Sequence, residues 1–260
     1  MLMSESVDQH WDARFFERSP LFEPLRPCAE GFFQQDAWPE LDEYRNVFSQ
    51  QGMDVMPVVQ DDRPQDFEAL YESRIFLQGE LQTRLHNWHD FFNALVWLSF
   101  PHTKQALNTL HFQASMQREP GTNRSPLENL LTLFDECGAV IISRRADLLQ
   151  MIRDRQWQSL FVDHRSVFEA DLRCVVFGHA MYEKALQPYV GMTTHTLLIE
   201  SETLLQGDLK QLDMTLSHQW FDDAIQSKQD LVPFPLLGVP GWYAPNRQPD
   251  FYDNQDYFRP

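Results

Sequence analysis

A chain of 260 residues with 43% hydrophobic and 13% aromatic content can bury a sizeable core, so it reads as a folded globular protein. Its net charge of −17 works against nucleic acid as a partner, because gripping a phosphate backbone depends on Lys and Arg releasing counterions. No apolar run approaches the about 20 residues that cross a bilayer, and the start, M-L-M-S-E-S-V-D-Q-H-W-D, lacks the basic and apolar parts of a signal peptide, which makes cytoplasm the default location.

In chain order, residues 1–53 mix aromatic groups with Pro20, Pro24, Pro27 and Pro39 and predict an irregular segment wrapped around the body, with a short helix near Leu41 to Ser49. Asp54 to Gln60 and Tyr71 to Gln78 have strand composition and predict a small antiparallel pair, with Pro57 favouring an edge. Asn87 to Phe100 follows as a helix that is apolar nearly all round and therefore central. Asn87 suits its N-cap, with Asp90 in the first turn. Pro101 closes that helix, and Thr103 to His111 predicts another.

Residues 112–126, rich in Pro, Gly, Ser and Asn, predict an exposed loop within one domain. Leu130 to Glu136 and Ala139 to Ser143 resemble two strands around a turn at Cys137 and Gly138, with Asp135 and Glu136 at its tip. Helix is predicted from Ala146 and again over Trp157 to Gln187, strand over Thr194 to Glu200, and helix over Glu202 to Ile225. The tail, residues 231–260, carries Trp242, Phe251, Tyr252, Tyr257 and Phe258 among prolines, and can order itself only by laying those rings on the body. The whole predicts an α+β fold: one mostly helical domain over 1–260, with a small antiparallel sheet and a docked, extended tail.

Candidate chemistry follows from polar groups in apolar places. A histidine or carboxylate on a core helix must find a partner, which singles out His89 and Asp90. His179 and Glu183 are four residues apart and share a helical face, a spacing that can bind one metal or hold an acid/base pair, with Lys184 beside them. If these groups converge, His89, Asp90, His179 and Glu183 are the expected catalytic groups and metal ligands, and Asp135 or Glu136 supplies a further ligand or base. Such a mixed set suits zinc, manganese or iron. Cys28, Cys137 and Cys174 form no C-x-x-C pair and read as reduced thiols. H-E-x-x-H, P-loop, G-x-G-x-x-G and G-x-S-x-G signatures are absent.

Four segments, N-W-H-D-F-F-N-A-L-V-W-L-S-F-P with the later K-Q-A-L-N, L-T-L-F-D-E-C-G, F-G-H-A-M-Y-E-K-A-L, and P-L-L-G-V-P-G-W closing with F-Y-D-N-x-x-Y-F-R-P, resemble the bacterial family called domain of unknown function 3025. The resemblance runs in order from about Tyr71 to the end. It implies no activity, but its pattern falls on Arg84, Asn87, Trp88, His89, Asp90, Asn93, Asp135, Glu136, His179, Glu183 and Lys184. Of these, Arg84, Asn87, Trp88, Asn93, Asp135, Glu136 and Lys184 are expected to contact a ligand. The reading that follows is a metal-assisted or acid/base hydrolase acting on a small molecule. A non-catalytic small-ligand binder and an acidic protein-interaction protein are the alternatives.

Overall fold

In the computed structural model, which describes residues 10–33, 36–60, 70–119, 122–222 and 224–260, proline-punctuated 3-10 turns at Phe15–Arg18 and Pro20–Leu25 lead to one helical turn, α1 (Arg26–Ala29). The expectation for the N-terminus partly falls on residues 1–9, outside the described residues; from Trp11 onward the aromatic groups pack inward. Phe15, Phe22 and Phe32 are buried, and Trp11 stacks on Trp88 with ring centroids 5.2 Å apart. The expected short helix is α2 (Leu41–Gln50), which opens on a reciprocal cap between Glu40 and Glu43 and buries Tyr44 and Phe48.

Strand β1 (Met56–Val59) is present, but Tyr71–Gln78 is a helix, α3, and the strand comes after it as β2 (Glu80–Thr83). The pair is parallel, Pro57 facing Leu81. Parallel strands need a crossover, not a hairpin, and α3 forms the end of that crossover. A short apolar run such as Y-E-S-R-I-F-L-Q does not distinguish helix from strand by period. What decides is Gly79, whose left-handed φ of 67° closes the helix and accepts no side chain without strain.

Helix α4 (Trp88–Ser99) is the centre of the molecule: every one of its residues except His89 is buried. The Asn87 side chain accepts the Asp90 N–H at 3.1 Å, as its N-cap position predicts. After Phe100 breaks the helical geometry, α5 (Pro101–Gln117) begins, and its free N–H groups are satisfied from elsewhere: buried Asp213 accepts from the amides of His102 and Thr103 at 3.0 and 2.8 Å. Because α5 runs past His111, the loop expected over 112–126 shrinks to 118–125, of which Pro120 and Gly121 lie outside the described residues.

The expected hairpin over Leu130–Ser143 is instead a helix followed by a strand, α6 (Pro126–Cys137) and β3 (Gly138–Ser143). Its decisive signal is S-P-L-E: Ser125 and Glu128 cap each other's amides, with Pro126 at the first helical position. Helix α7 (Ala146–Arg153) follows. The long helix expected over Trp157–Gln187 is broken into a wide π turn at Ser159–Asp163, α8 (Arg165–Asp171), strand β4 (Leu172–Val176) and α9 (His179–Ala185). L-R-C-V-V is a short run, closing on two buried valines, of the kind that periodicity misassigns. Then come β5 (Thr193–Glu200), α10 (Glu202–Gln206), α11 (Leu209–Phe221) and β6 (Val232–Pro235).

The larger sheet has the order β4-β3-β5-β6, with β3 antiparallel to β4 and parallel to β5, and β6 antiparallel to β5. All six residues of β3 are buried, as a central strand covered on both faces requires. The fold is thus a mostly helical α+β single domain, but with a parallel pair and a mixed four-stranded sheet where one antiparallel sheet was expected. The tail docks in 3-10 turns, burying Tyr252, Tyr257 and Phe258. Among the described residues, no helix is long and apolar enough to cross a membrane.

Candidate metal centre

The site forms where β3 begins and β4 ends. Ala139 pairs with Val176 across the antiparallel strands, which lays the end of α6 beside the start of α9. Gly178 makes that approach possible: a Cβ there would stand 2.5 Å from both the Glu136 carbonyl oxygen and the Gly138 nitrogen. The amides of Phe177 and Gly178 both donate to the Gly138 carbonyl, at 3.0 and 2.8 Å. Helix α4 packs on α9 from the other side and presents His89, its one residue that is not buried.

The hydrogen bonds fix the orientation of both rings. His179 Nδ1 lies 2.9 Å from the Asp135 carbonyl, which can only accept, so Nδ1 carries the proton and Nε2 the lone pair. His89 Nδ1 lies 2.9 Å from Glu183 Oε2 and donates to that carboxylate. The two Nε2 atoms then face each other at 3.0 Å. Two lone pairs at that distance repel unless a cation lies between them, either a proton or a metal.

Charges around the rings differ. Desolvation disfavours the charged form of His89, but the Glu183 hydrogen bond and the Glu136 charge outweigh it and raise its pKa. His179 is buried, and desolvation pushes it down to about 3. In the metal-free protein the proton between the rings therefore belongs to His89. Glu136 is raised by desolvation and by the nearby Asp135 charge, partly offset by His89.

Glu136 completes the centre. Its Oε2 lies 3.9 Å from His89 Nε2 and 3.6 Å from His179 Nε2. The circle through three donors separated by 3.0, 3.6 and 3.9 Å has a radius of about 2.05 Å, which is the length of a zinc–nitrogen bond, roughly 2.0–2.1 Å. Among the described residues these three side chains are the group that could hold a metal. Glu136 and His89 are partly open to solvent, with side chains 37% and 27% exposed, while His179 forms the buried floor.

The remaining expected residues take other places. Asp90 has both oxygens on Arg84, at 3.0 and 2.8 Å from Nε and Nη2, and also accepts the Arg84 amide, so its hydrogen bonds go to Arg84 and not to the histidines. Glu183 stands behind His89 and not beside the three donors. Asn87 caps α4, and Trp88 is buried against Trp11 and Phe92. Asn93 accepts from Lys104 Nζ at 2.9 Å and donates to the Tyr71 hydroxyl at 2.6 Å. Asp135 lies 2.5 Å from Lys104 Nζ; burial opposes its charge, yet Lys104 holds its carboxyl below the usual range. Lys184 is half-buried, and its charge bears on Glu136 and on Cys137, whose thiol desolvation pushes up and away from nucleophilic use.

Two residues of this neighbourhood, Lys104 and Tyr71, were not singled out for chemistry from the sequence. Lys104 stands in the K-Q-A-L-N segment, but a lysine within a helix normally points to solvent, and only the orientation of α5 shows it buried.

No curated protein and no solved structure matches the chain. The sequence pattern described as "Protein of unknown function (DUF3025)" matches residues 55–260, a span that contains all three candidate ligands, and the chain therefore belongs to that family.

Proposed function

We propose that this protein is a metal-dependent hydrolase of a small molecule, with His89 Nε2, His179 Nε2 and Glu136 as the protein ligands of one divalent ion. The carrying observation is the pair of inward-facing Nε2 atoms with a carboxylate at metal-bonding separation. Two imidazoles and one carboxylate suit zinc, manganese or iron. Held by His89, His179 and Glu136, such an ion would supply a bound water of lowered pKa for hydrolysis. Glu183 and the Asp135 carbonyl accept the Nδ1 protons, which orients both rings and raises their basicity, the usual arrangement behind metal-binding histidines. The non-catalytic ligand-binding alternative draws on one observation: clefts of about 390 and 750 Å³ flank the docked tail, away from these histidines.

Titration of the purified chain with zinc, manganese and iron tests the reading. The expected result is one ion per chain. His89→Ala, His179→Ala or Glu136→Gln should weaken binding by more than the roughly 10–100-fold that losing a partner behind a ligand costs. Binding requires His89 to lose its proton, and its pKa is raised, so affinity should fall by roughly tenfold per pH unit below that raised value and level off above it. Equal affinity in wild type and the three variants would sink the metal centre. Metal binding without turnover of esters, phosphoesters and amides would leave a binding protein.

A further inference from the structure

We infer that the docked tail completes a second binding site, independent of the metal centre, for a small organic acid: one carboxylate carried on a flat apolar group. The place is the recess of about 390 Å³ bounded by the segment after α7, the strands β5 and β6, and the tail. That volume is in the range of small-molecule sites, and none of His89, Glu136 and His179 lines it. The site therefore neither needs nor tests the hydrolase reading.

Its lining carries two guanidinium groups, Arg155 and Arg259, and one carboxylate, Asp256, a net single positive charge. In a chain of 38 acidic and 21 basic residues an arginine readily finds a carboxylate, as Arg18, Arg84 and Arg144 do. Among the described residues no side-chain carboxylate pairs with Arg155 or Arg259, which donate instead to the main-chain oxygens of Pro260 and Asp256 at 3.3 and 3.0 Å. Each keeps N–H groups for a further acceptor, and the guanidinium fork matches a carboxylate in shape. One carboxylate balances the lining; a phosphate dianion overshoots it beside Asp256.

The other walls suit a ring. Trp157 and Tyr257 are buried, and their polar atoms are already engaged, the indole N–H on the Arg259 carbonyl at 2.8 Å and the hydroxyl on the Met192 carbonyl at 2.7 Å, so they meet the recess with apolar surface. Pro233 and Pro235 are alternate residues of the edge strand β6 and lack an N–H. The recess cannot take up a further strand through them, and it stays open to a small molecule.

Arg155 also stands where the fold itself favours another residue. It closes α7 at a left-handed φ of 53°, with its N–H on the Ile152 carbonyl at 3.1 Å and the Gln156 N–H on the Met151 carbonyl at 2.9 Å. Glycine normally takes that position, because a Cβ there costs stability. An arginine held in such a conformation points to a role for its side chain, and the recess supplies one.

The test uses the full-length chain and follows the Trp157 indole N–H by NMR, which senses the site through its bond to the Arg259 carbonyl. Benzoate should shift that signal saturably, phenyl phosphate more weakly and benzyl alcohol not at all. Arg155→Gly and Arg259→Gln should each weaken benzoate binding by roughly tenfold or more, as loss of a charge-assisted pair does, and leave metal titration unchanged. Arg155→Gly, relieved of its left-handed Cβ, should melt no lower than wild type. No saturable shift with benzoate, equal binding of benzyl alcohol, or either variant binding benzoate like wild type would overturn the inference. Tighter binding of phenyl phosphate would overturn the carboxylate assignment, and a lowered melting midpoint for Arg155→Gly would make that arginine a pin for the tail and overturn its role here.

Discussion

Gly178→Ala is expected to destabilise the protein by roughly 3 kcal/mol or more and to abolish metal binding in whatever fraction remains folded. The added methyl would meet Glu136 O, Gly138 N and Cys137 N at 2.5, 2.5 and 2.6 Å, all backbone atoms with no rotamer to yield. Relief requires the start of α9 to move off the end of α6. That motion breaks the two hydrogen bonds to the Gly138 carbonyl and separates the His179 ring from Asp135 and Glu136. For a chain of this size the loss should lower the melting midpoint by roughly 6–12 °C. Ala180→Gly, two residues further on in the first turn of α9, should retain metal binding. A Gly178→Ala protein that melts like wild type and binds metal would show that the two segments are less tightly joined than described.

Removing residues 239–260 should have a still larger effect and leave no folded protein. Tyr252, Tyr257 and Phe258 are each over 90% buried, and burial of one such ring contributes roughly 1.5–3 kcal/mol, so the three together rival the roughly 5–15 kcal/mol by which a domain is stable at all. The polar contacts compound this. The Tyr257 hydroxyl donates to the Met192 carbonyl at 2.7 Å and accepts the Leu237 amide at 2.9 Å, and Trp157 Nε1 donates to the Arg259 carbonyl at 2.8 Å. Phe161, now stacked on Tyr252 at 5.3 Å, would open to water, and an exposed apolar patch of that kind promotes aggregation. A truncated chain that stays monomeric and melts cooperatively at the wild-type temperature would refute the role of the tail.

What the sequence revealed of the site was local. Asn87 as a cap and His89 as the polar intruder on an apolar helix follow from residues within one turn of each other, and His179 and Glu183 from their spacing of four. That the two histidines meet depends on β3 pairing with β4, and of the two only β3 was expected, over Ala139 to Ser143. Strand β4 looked like the middle of a helix because a five-residue apolar run has no readable period, and α6 looked like a strand although S-P-L-E marks a helix start. Misplacing α6 put Glu136 at a solvated hairpin tip; at the end of a helix it lies beside His179. Asp90 was expected beside the histidines; its carboxylate, in the capping turn, is instead engaged by an arginine six residues before it, at 2.8 Å.

The distances along the chain between the candidate ligands set the order of events during synthesis. His89 and His179 are 90 residues apart, and His179 is 44 residues from the carbonyl that orients it. Contacts between such remote segments come late, because the entropy of closing the intervening loops is lost before any contact repays it. All three donors can meet only once His179, the last of them in the chain, has left the ribosome. A metal therefore cannot nucleate this fold in the way that it does a zinc finger, where nearby ligands gather around the ion. Loading would have to follow folding, and the ion would then act on the finished protein by mass action alone, adding equilibrium stability that grows with the logarithm of its concentration over its dissociation constant.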